Sequence, residues 1–302
     1  MAPNNHTAQS GAGARNGNQG AQPLLRFDHV TVRFDTGDAL RGVSFDLWPG
    51  ETRIILGAAG SGKSVLLKTA IGLLKADSGK VWLFGEDITD RDERELFAIR
   101  SRVGVLFQEG GLFDSLTIAE NVAYPLLNQQ SRGESRMTPE VEKKVEEALS
   151  FVELGKTLEK YPSELSGGMR RRVGIARAVV TEPPLILYDS PTAGLDPITA
   201  NTIMALVAKE RDMRDTANMI VTHRYQDGEL MAEFRYNPDS GRLEAVTPNG
   251  TGERSTTASE PLTIFMVMRE GELVFEGSQN ELEASKDSYV HRFVRAENAG
   301  AR

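Results

Sequence analysis

The segment GAAGSGKS at residues 57–64 restricts the fold of this chain more than any other. It follows RIILG, a continuous apolar run typical of a strand buried on both faces, and it precedes VLLKTAIGLL, which has helical character. Glycines at such a junction let backbone N–H groups wrap phosphate oxygens, and the helix N-terminus adds partial positive charge. The context predicts a phosphate-binding loop. The alternative, a glycine-rich turn with an incidental lysine, leaves the flanking strand and helix unexplained.

Three side chains in and near this loop are expected to bind phosphate and a metal ion. Lys63 is expected to reach the β- and γ-phosphates of a nucleotide, and the Ser64 hydroxyl to ligate Mg²⁺. Asp189 follows the apolar run LILY, and a carboxylate at the carboxyl end of a parallel strand can hold the same ion, usually through water. The alternative is that Asp189 only caps a turn. The loop residues predicted to contact the nucleotide are Gly57, Ala58, Ala59, Gly60, Ser61, Gly62, Lys63, Ser64 and Val65.

The composition narrows the functional classes. The chain has 302 residues, 39% of them hydrophobic and 26% charged, which is typical of a soluble protein with one large α/β domain or two small ones. No apolar run approaches the roughly 18 residues of a membrane helix, and the N-terminus lacks the apolar core of a secretory signal. The absence of cysteine excludes disulfides and thiolate chemistry. A net charge of −8 argues against a nucleic-acid partner.

Local composition and hydrophobic patterning divide the chain into an N-terminal tail and one domain. Residues 1–22 are mostly Gly, Asn, Gln and Ala and are predicted to be disordered. The single domain spans 23–302, with antiparallel strands at 24–50, a helical subdomain at about 109–165 and a surface insertion at about 236–261. KVWLFGEDI, RVGVLF, LILYD and NMIVTH are predicted strands, Thr138-Pro139 begins a helix, and a last hairpin turns at Glu270-Gly271.

The segment LSGGMRRRVGIARA at 165–178 predicts a second anion-binding helix start. Ser166, Gly167 and Gly168 would present a hydroxyl and bare N–H groups to a phosphate. Because the chain already has its own phosphate loop, a second phosphate clamp indicates a partner, and the simplest partner is a second copy related by a two-fold axis. Arg170–Arg172 are expected to form a solvated charged helix face.

The order of these motifs resembles the nucleotide-binding subunit of ABC transporters. The family's Q-loop glutamine corresponds to Gln108, its LSGG signature to 165–168, its Walker B strand to 185–189 and its D-loop to AGLD at 193–196. His223 in VTH matches the family's switch histidine, and Phe34 the aromatic residue that packs against adenine. The resemblance implies an α/β P-loop ABC-type ATPase domain with an antiparallel β layer and a helical subdomain. It also implies ATP and Mg²⁺ as ligands, Gln108 as a further Mg²⁺ ligand, and a homodimer that sandwiches the nucleotides.

A finer resemblance is to the ATPases of Mla/MCE-type lipid transporters. It rests on FQEGGLFDSLTIAENVAYPL, on LSGGM and on VFEGSQNELEAS. It implies phospholipid movement between membranes, permease subunits, an MCE-type lipid-binding protein across the bilayer, and a peripheral position on the cytoplasmic face of the inner membrane. The segment EGGLFDSL would contact the permease. The alternative is that Leu112, Phe113 and Leu116 belong to the core of the helical subdomain.

Ser190 departs from the family pattern. ABC ATPases normally carry Glu directly after the Walker B aspartate, where it orients or deprotonates the attacking water, whereas a hydroxyl is a poor proton acceptor at neutral pH. Losing a general base lowers a rate by roughly 10²–10⁴-fold. Three interpretations stay open: slow hydrolysis in which His223 and Gln108 position the water, a nucleotide-dependent dimerising clamp with little hydrolysis, and a serine introduced by engineering.

Overall fold

A computed structural model describes residues 22–129, 136–246 and 263–295. The strands in these ranges are β1 (Leu25–Phe34), β2 (Gly37–Leu47), β3 (Thr52–Gly57), β4 (Ser78–Leu83), β5 (Glu86–Asp87), β6 (Val103–Leu106), β7 (Leu185–Asp189), β8 (Ala217–Thr222), β9 (Phe234–Asn237), β10 (Arg242–Ala245), β11 (Thr263–Arg269) and β12 (Glu272–Gly277). The helices are α1 (Lys63–Ala70), α2 (Glu93–Arg100), α3 (Ile118–Gln129), α4 (Pro139–Phe151), α5 (Gly167–Val179), α6 (Pro197–Arg214), α7 (Tyr225–Glu233), α8 (Gln279–Glu283) and α9 (Ser288–Arg295).

A six-stranded sheet forms the centre of the fold, in the order β12-β11-β3-β8-β7-β6. Every pairing from β11 to β6 is parallel, and β12 closes one edge as an antiparallel strand. All residues of β3, β7 and β8 are buried, as expected for parallel strands covered on both faces. Because parallel strands end at the same edge, the residues that follow β3, β6, β7 and β8 lie along one side of the domain.

The second sheet is antiparallel, in the order β2-β1-β4-β5. The antiparallel layer predicted from residues 24–50 is therefore only half of this sheet. The segment KVWLFGEDI, predicted as one strand, is divided into β4 and β5 by a turn at Phe84 and Gly85, whose φ angles are 54° and 79°. The sheet packs over α1 and one face of the central sheet, and Leu25, Leu66 and Ile55 belong to the same buried cluster.

Helix α1 is shorter than its sequence predicts. It ends at Ala70, whereas the helical pattern continues to residue 74, because Gly72 has a φ of 68° and its N–H bonds to the Thr69 carbonyl in a tight turn. Helix α4 begins as predicted, since Thr138 Oγ1 accepts a hydrogen bond from Val141 N and Pro139 occupies the first helical position.

The later hairpins also follow the sequence pattern. Strands β9 and β10 pair around the turn in NPDSG, and β11 and β12 pair around Glu270 and Gly271, whose φ angles are 51° and 85°. The predicted tail, apart from Gln22, and the part of the predicted insertion from 247 to 261 lie outside the described residues. Among the helices that the structure describes, none is long and apolar enough to cross a membrane.

Candidate functional site

The loop after β3 curls around the ammonium group of Lys63. Lys63 Nζ donates hydrogen bonds to the carbonyl oxygens of Gly57 and Ala58, both at 2.8 Å. Gly62 has a φ of 102°, and a Cβ there would lie 2.4 Å from the Ala39 carbonyl oxygen, so only glycine fits at this point. Burial lowers the pKa of Lys63, and the charge of Asp189 opposes that shift. The loop thus presents a positive charge and backbone N–H groups at the start of α1.

Ser64 and Asp189 meet at the ends of two parallel strands. The Ser64 hydroxyl lies 3.4 Å from Asp189 Oδ1. Hydroxyl and carboxylate oxygens are the donors that Mg²⁺ prefers, and Mg²⁺ at a nucleotide site needs only one or two protein ligands beside phosphate oxygens. In the part of the chain that the structure describes, no group of three or more acidic or histidine side chains could hold a metal by itself. The pair therefore fits a Mg²⁺ bound together with phosphate.

The remaining residues predicted for this site lie at the same edge or near it. Gln108 follows β6 by two positions and His223 directly follows β8, and both side chains are exposed. Phe34 is 46% exposed at the end of β1, on the hairpin whose Ala39 approaches Gly62. An exposed ring at this position is free to pack against a planar ligand.

The signature residues line a separate cleft. Ser166 caps α5, and its hydroxyl accepts a hydrogen bond from Met169 N at 3.3 Å. Together with Gly167 and Gly168, it borders an open cleft of about 440 Å³ whose other wall is formed by residues 194–196 and the start of α6. No residue of the phosphate loop lines this cleft. Within one chain, the two predicted phosphate-binding ends are thus parts of different surfaces.

Ser190 has a constrained backbone directly after Asp189. Its φ is 50°, in the left-handed region, and its N–H donates to the Val221 carbonyl at 2.9 Å. Its hydroxyl lies 3.2 Å from Asp189 Oδ1. A serine bonded to the carboxylate that is placed to hold the metal can orient that carboxylate, but it offers no strong base to an attacking water.

Comparison with known proteins identifies the family. The family described as ABC transporter matches residues 40–193, just over half of the 302 residues. The chain belongs to the ABC transporter family. A probable ribonucleotide transport ATP-binding protein of Mycobacterium leprae is 39% identical over 210 residues, which are 68% of this chain and 59% of that protein. A methionine import ATP-binding protein of Bifidobacterium longum is 36% identical over 211 residues, 68% of this chain and 51% of its own length. The chain therefore spans between about half and three fifths of these curated relatives.

Solved structures show the same ABC fold. A dimeric ATP-binding cassette in a post-hydrolysis state, bound to ADP and Pi, matches with a TM-score of 0.68 and 30% identity, covering 84% of this chain and 98% of that one. A protein from Clostridium perfringens that is part of an ABC transporter complex matches with a TM-score of 0.68 and 25% identity, covering 92% of this chain and 97% of that one. The predicted fold class, an α/β ABC-type ATPase domain, is confirmed.

Several buried polar residues of this ABC domain carry no sequence signal. Arg171, expected on a solvated face, is 3% exposed and donates to the Ala193 carbonyl at 3.2 Å, so that expectation is wrong for this residue. It ties α5 to the D-loop. Asp227 is 1% exposed and accepts hydrogen bonds from two threonine hydroxyls. The contacts of Arg171 with Ala193 and of Asp227 with Thr192 join segments 22 and 35 residues apart in the chain, which local patterns do not reveal.

Proposed function

We propose that this chain is the ATP-binding subunit of an ABC transporter, which couples ATP binding and slow hydrolysis to the movement of substrate by permease subunits. It acts as a homodimer on the cytoplasmic face of the inner membrane, with each nucleotide held between the phosphate loop of one copy and Ser166–Gly168 of the other. The observation that carries this proposal is the convergence of Lys63, Ser64 and Asp189 at one sheet edge.

Each residue at this edge has a role in phosphoryl transfer. Lys63 neutralises charge on the β- and γ-phosphates, and backbone N–H groups of the loop hold the phosphate oxygens. Ser64 and Asp189, with Gln108, hold Mg²⁺, which when bound offsets the charge that develops on the phosphate oxygens. His223 and Gln108 position the attacking water. Positioning and charge neutralisation supply most of the catalysis in this reaction, so hydrolysis proceeds without a carboxylate base.

A second candidate function is a clamp that dimerises on ATP and barely hydrolyses it. Ser190 favours this candidate, because its hydroxyl is occupied with Asp189 and is a poor base. Both candidates require ATP-dependent dimerisation, and they differ only in turnover.

Dimerisation is tested first, by light scattering of the purified chain with and without Mg²⁺ and ATP. The proposal expects a dimer with ATP and a monomer without it, and expects Lys63→Ala to stay monomeric in both. A chain that stays monomeric at saturating ATP contradicts both the transporter subunit and the clamp.

An exposed aromatic patch next to Gln108 supports contact with a permease. Phe107, Phe113 and Tyr124 are 39%, 41% and 43% exposed, and the rings of Phe113 and Tyr124 lie 4.7 Å apart. Arg177 donates to the carbonyls of Gly110 and Gly111 and fixes this segment. Leu112 and Leu116, from the same segment, are half-buried, so only part of it faces outward.

The patch is tested by copurification with the permease subunits. Phe113→Ser is expected to weaken copurification while the ATPase rate of the isolated chain stays the same. Phe97→Ser is the matched control, since Phe97 is a 55% exposed phenylalanine on α2 that does not belong to the segment from Phe107 to Tyr124. Equal losses in both variants contradict the assignment.

The transported substrate is proposed to be phospholipid, on the resemblance of the segments around Gln108 and Ser166 to lipid-transporter ATPases. The relatives named above carry names for ribonucleotide transport and methionine import, so their substrates are the competing outcomes. Mass spectrometry of small molecules bound to the copurified complex distinguishes them. Phospholipid and an MCE-type protein in the complex support the proposal, whereas a nucleotide- or amino-acid-binding partner contradicts it.

A further inference from the structure

A buried carboxylate joins two segments at the site's edge. Asp227 lies in the first turn of α7, and its Oδ2 accepts hydrogen bonds from Thr192 Oγ1 and from Thr222 Oγ1, each at 2.6 Å. All three residues are buried, each 1% exposed. Thr192 lies two residues after Ser190, and Thr222 directly precedes His223. Asp227 thus bonds to both of the segments that face the attacking water in the proposed reaction.

The link begins where the backbone ladder stops. Strands β7 and β8 pair as far as Asp189 and Val221, and one more backbone hydrogen bond joins Ser190 N to the Val221 carbonyl. Beyond that hydrogen bond, the segment after β7 continues as a loop and the segment after β8 leads into α7. Asp227 bridges them there through side chains, and the Thr222 hydroxyl also accepts a hydrogen bond from Arg224 N at 3.1 Å.

Two hydroxyls and a nearby guanidinium contact the Asp227 carboxyl group. Burial raises the pKa of Asp227, and the hydrogen bonds from Thr192 and Thr222 and the charges of Arg224 and His223 oppose this shift. Arg224 Nε lies 3.9 Å from Asp227 Oδ1. Hydrogen bonds to a charged acceptor are about twice as strong as neutral ones, so a buried carboxylate held by two hydroxyls makes a firm connection.

We propose that Asp227 is a positioning residue for ATP hydrolysis, which holds the segment of Ser190 and the segment of His223 at a fixed separation. The inference rests on the proposed hydrolysis. With serine in place of the usual glutamate, the reaction depends on how precisely water and phosphate are placed. A shift of either segment therefore acts directly on the rate of the chemical step, while the phosphate loop continues to bind ATP.

A set of variants distinguishes the loss of the Asp227 hydrogen bonds from a general loss of packing. Asp227→Leu removes the acceptor, Asp227→Asn keeps an oxygen that can accept both bonds, and Thr192→Val and Thr222→Val remove one donor each. Thr157→Val is the control, because the buried Thr157 hydroxyl donates to the Leu154 carbonyl at 2.8 Å, within the turn that follows α4. Lys63→Ala sets the zero of the ATPase assay, and all rates are measured with Ser190 and in the Ser190→Glu background.

If Asp227 positions the two segments, its loss is expected to change kcat and leave KM for ATP unchanged. Asp227→Leu is expected to lower kcat by roughly 10- to 100-fold, the range that a small displacement of reacting groups produces, with KM for ATP unchanged. Asp227→Asn is expected to recover most of the rate. Adding Thr192→Val to Asp227→Leu is expected to lower kcat no further, since both changes break the same link. Thr157→Val is expected to match the parent.

Hydrogen exchange gives a readout that does not need turnover. Asp227→Leu is expected to speed amide exchange in both 190–195 and 222–226, and the single threonine variants cover the case in which Asp227→Leu does not fold. If the ATPase rate is no higher than that of Lys63→Ala both with Ser190 and with Ser190→Glu, the proposed hydrolysis fails. Amide hydrogen exchange alone then decides whether Asp227 joins the two segments. The inference is overturned if the folded variants of Asp227, Thr192 and Thr222 keep the parental kcat and the parental amide exchange rates. It is also overturned if these variants lose activity only through a higher KM for ATP.

Discussion

Glu210 provides a quantitative test of the packing behind the nucleotide site. It lies on α6 with no exposed surface, and its Oε1 lies 3.5 Å from Arg214 Nη1 and 3.4 Å from Thr216 Oγ1. Its Oε2 has no hydrogen-bond partner among the described residues. Burial raises the pKa of Glu210 from 4.5 to about 7, although Arg214 opposes the shift.

The raised pKa makes folding stability depend on pH in a defined direction. Between pH 4.5 and about 7, the folded protein keeps a proton on Glu210 that the unfolded chain has lost. The contribution is fully present below pH 4.5 and is lost as the pH rises through about 7. The difference between these two pKa values corresponds to about 3 kcal/mol of unfolding free energy by pH 8. Glu210→Gln cannot ionise and does not carry this loss.

The assay is urea unfolding of the parent, Glu210→Gln and Glu146→Gln at several pH values from 5 to 8. Glu146 is an exposed glutamate on α4, so its variant makes the same chemical change without the burial. The unfolding free energy of Glu210→Gln relative to the parent is expected to rise by about 2.5 kcal/mol from pH 5 to pH 8, since part of the full effect lies below pH 5. A difference that does not change with pH, or one that Glu146→Gln reproduces, contradicts a raised pKa for the buried Glu210.

Two further substitutions test the packing around the site. Gly228→Ala places a Cβ 2.4 Å from Phe265 Cε1, so urea unfolding is expected to give a free energy about 1–3 kcal/mol lower, and parental stability contradicts the close contact. Tyr289→Phe removes a hydroxyl that lies 3.5 Å from Ala58 N at the start of the phosphate loop. Calorimetry is expected to show a Kd for ATP about fivefold higher than that of the parent, which corresponds to about 1 kcal/mol of binding free energy. An unchanged Kd contradicts the idea that α9 stabilises the phosphate loop.

The nucleotide-binding edge was predictable because it depends on local patterns. A buried parallel strand is an apolar run, and the residue that follows the run lies at the carboxyl edge of the sheet. These patterns predict Lys63 in the loop after one buried strand and Asp189 at the end of another, and the structure has Lys63 at the start of α1, after β3, and Asp189 as the last residue of β7. His223 was identified by the family resemblance, and it directly follows β8.

Contacts between distant segments were not predictable. Asp227 bonds to Thr192 across 35 residues of chain, and Arg171 reaches Ala193 across 22. A basic run on a helix predicts a solvated face, but the turn of α5 that carries Arg171 faces the D-loop instead. Turns with positive φ, such as the one at Phe84, also ended elements earlier than propensity indicated, because a non-glycine residue in that region gives no sequence signal.

The proposal that this chain hydrolyses ATP slowly because of Ser190 is tested by the steady-state ATPase rates of the chain, of Ser190→Glu and of Lys63→Ala. We expect a slow parental rate that exceeds that of Lys63→Ala, and an increase of roughly 100-fold or more in Ser190→Glu because a carboxylate base is restored. A parental rate no higher than that of Lys63→Ala contradicts slow hydrolysis and leaves the clamp. A fast parental rate that Ser190→Glu does not change contradicts the claim that Ser190 limits the chemistry.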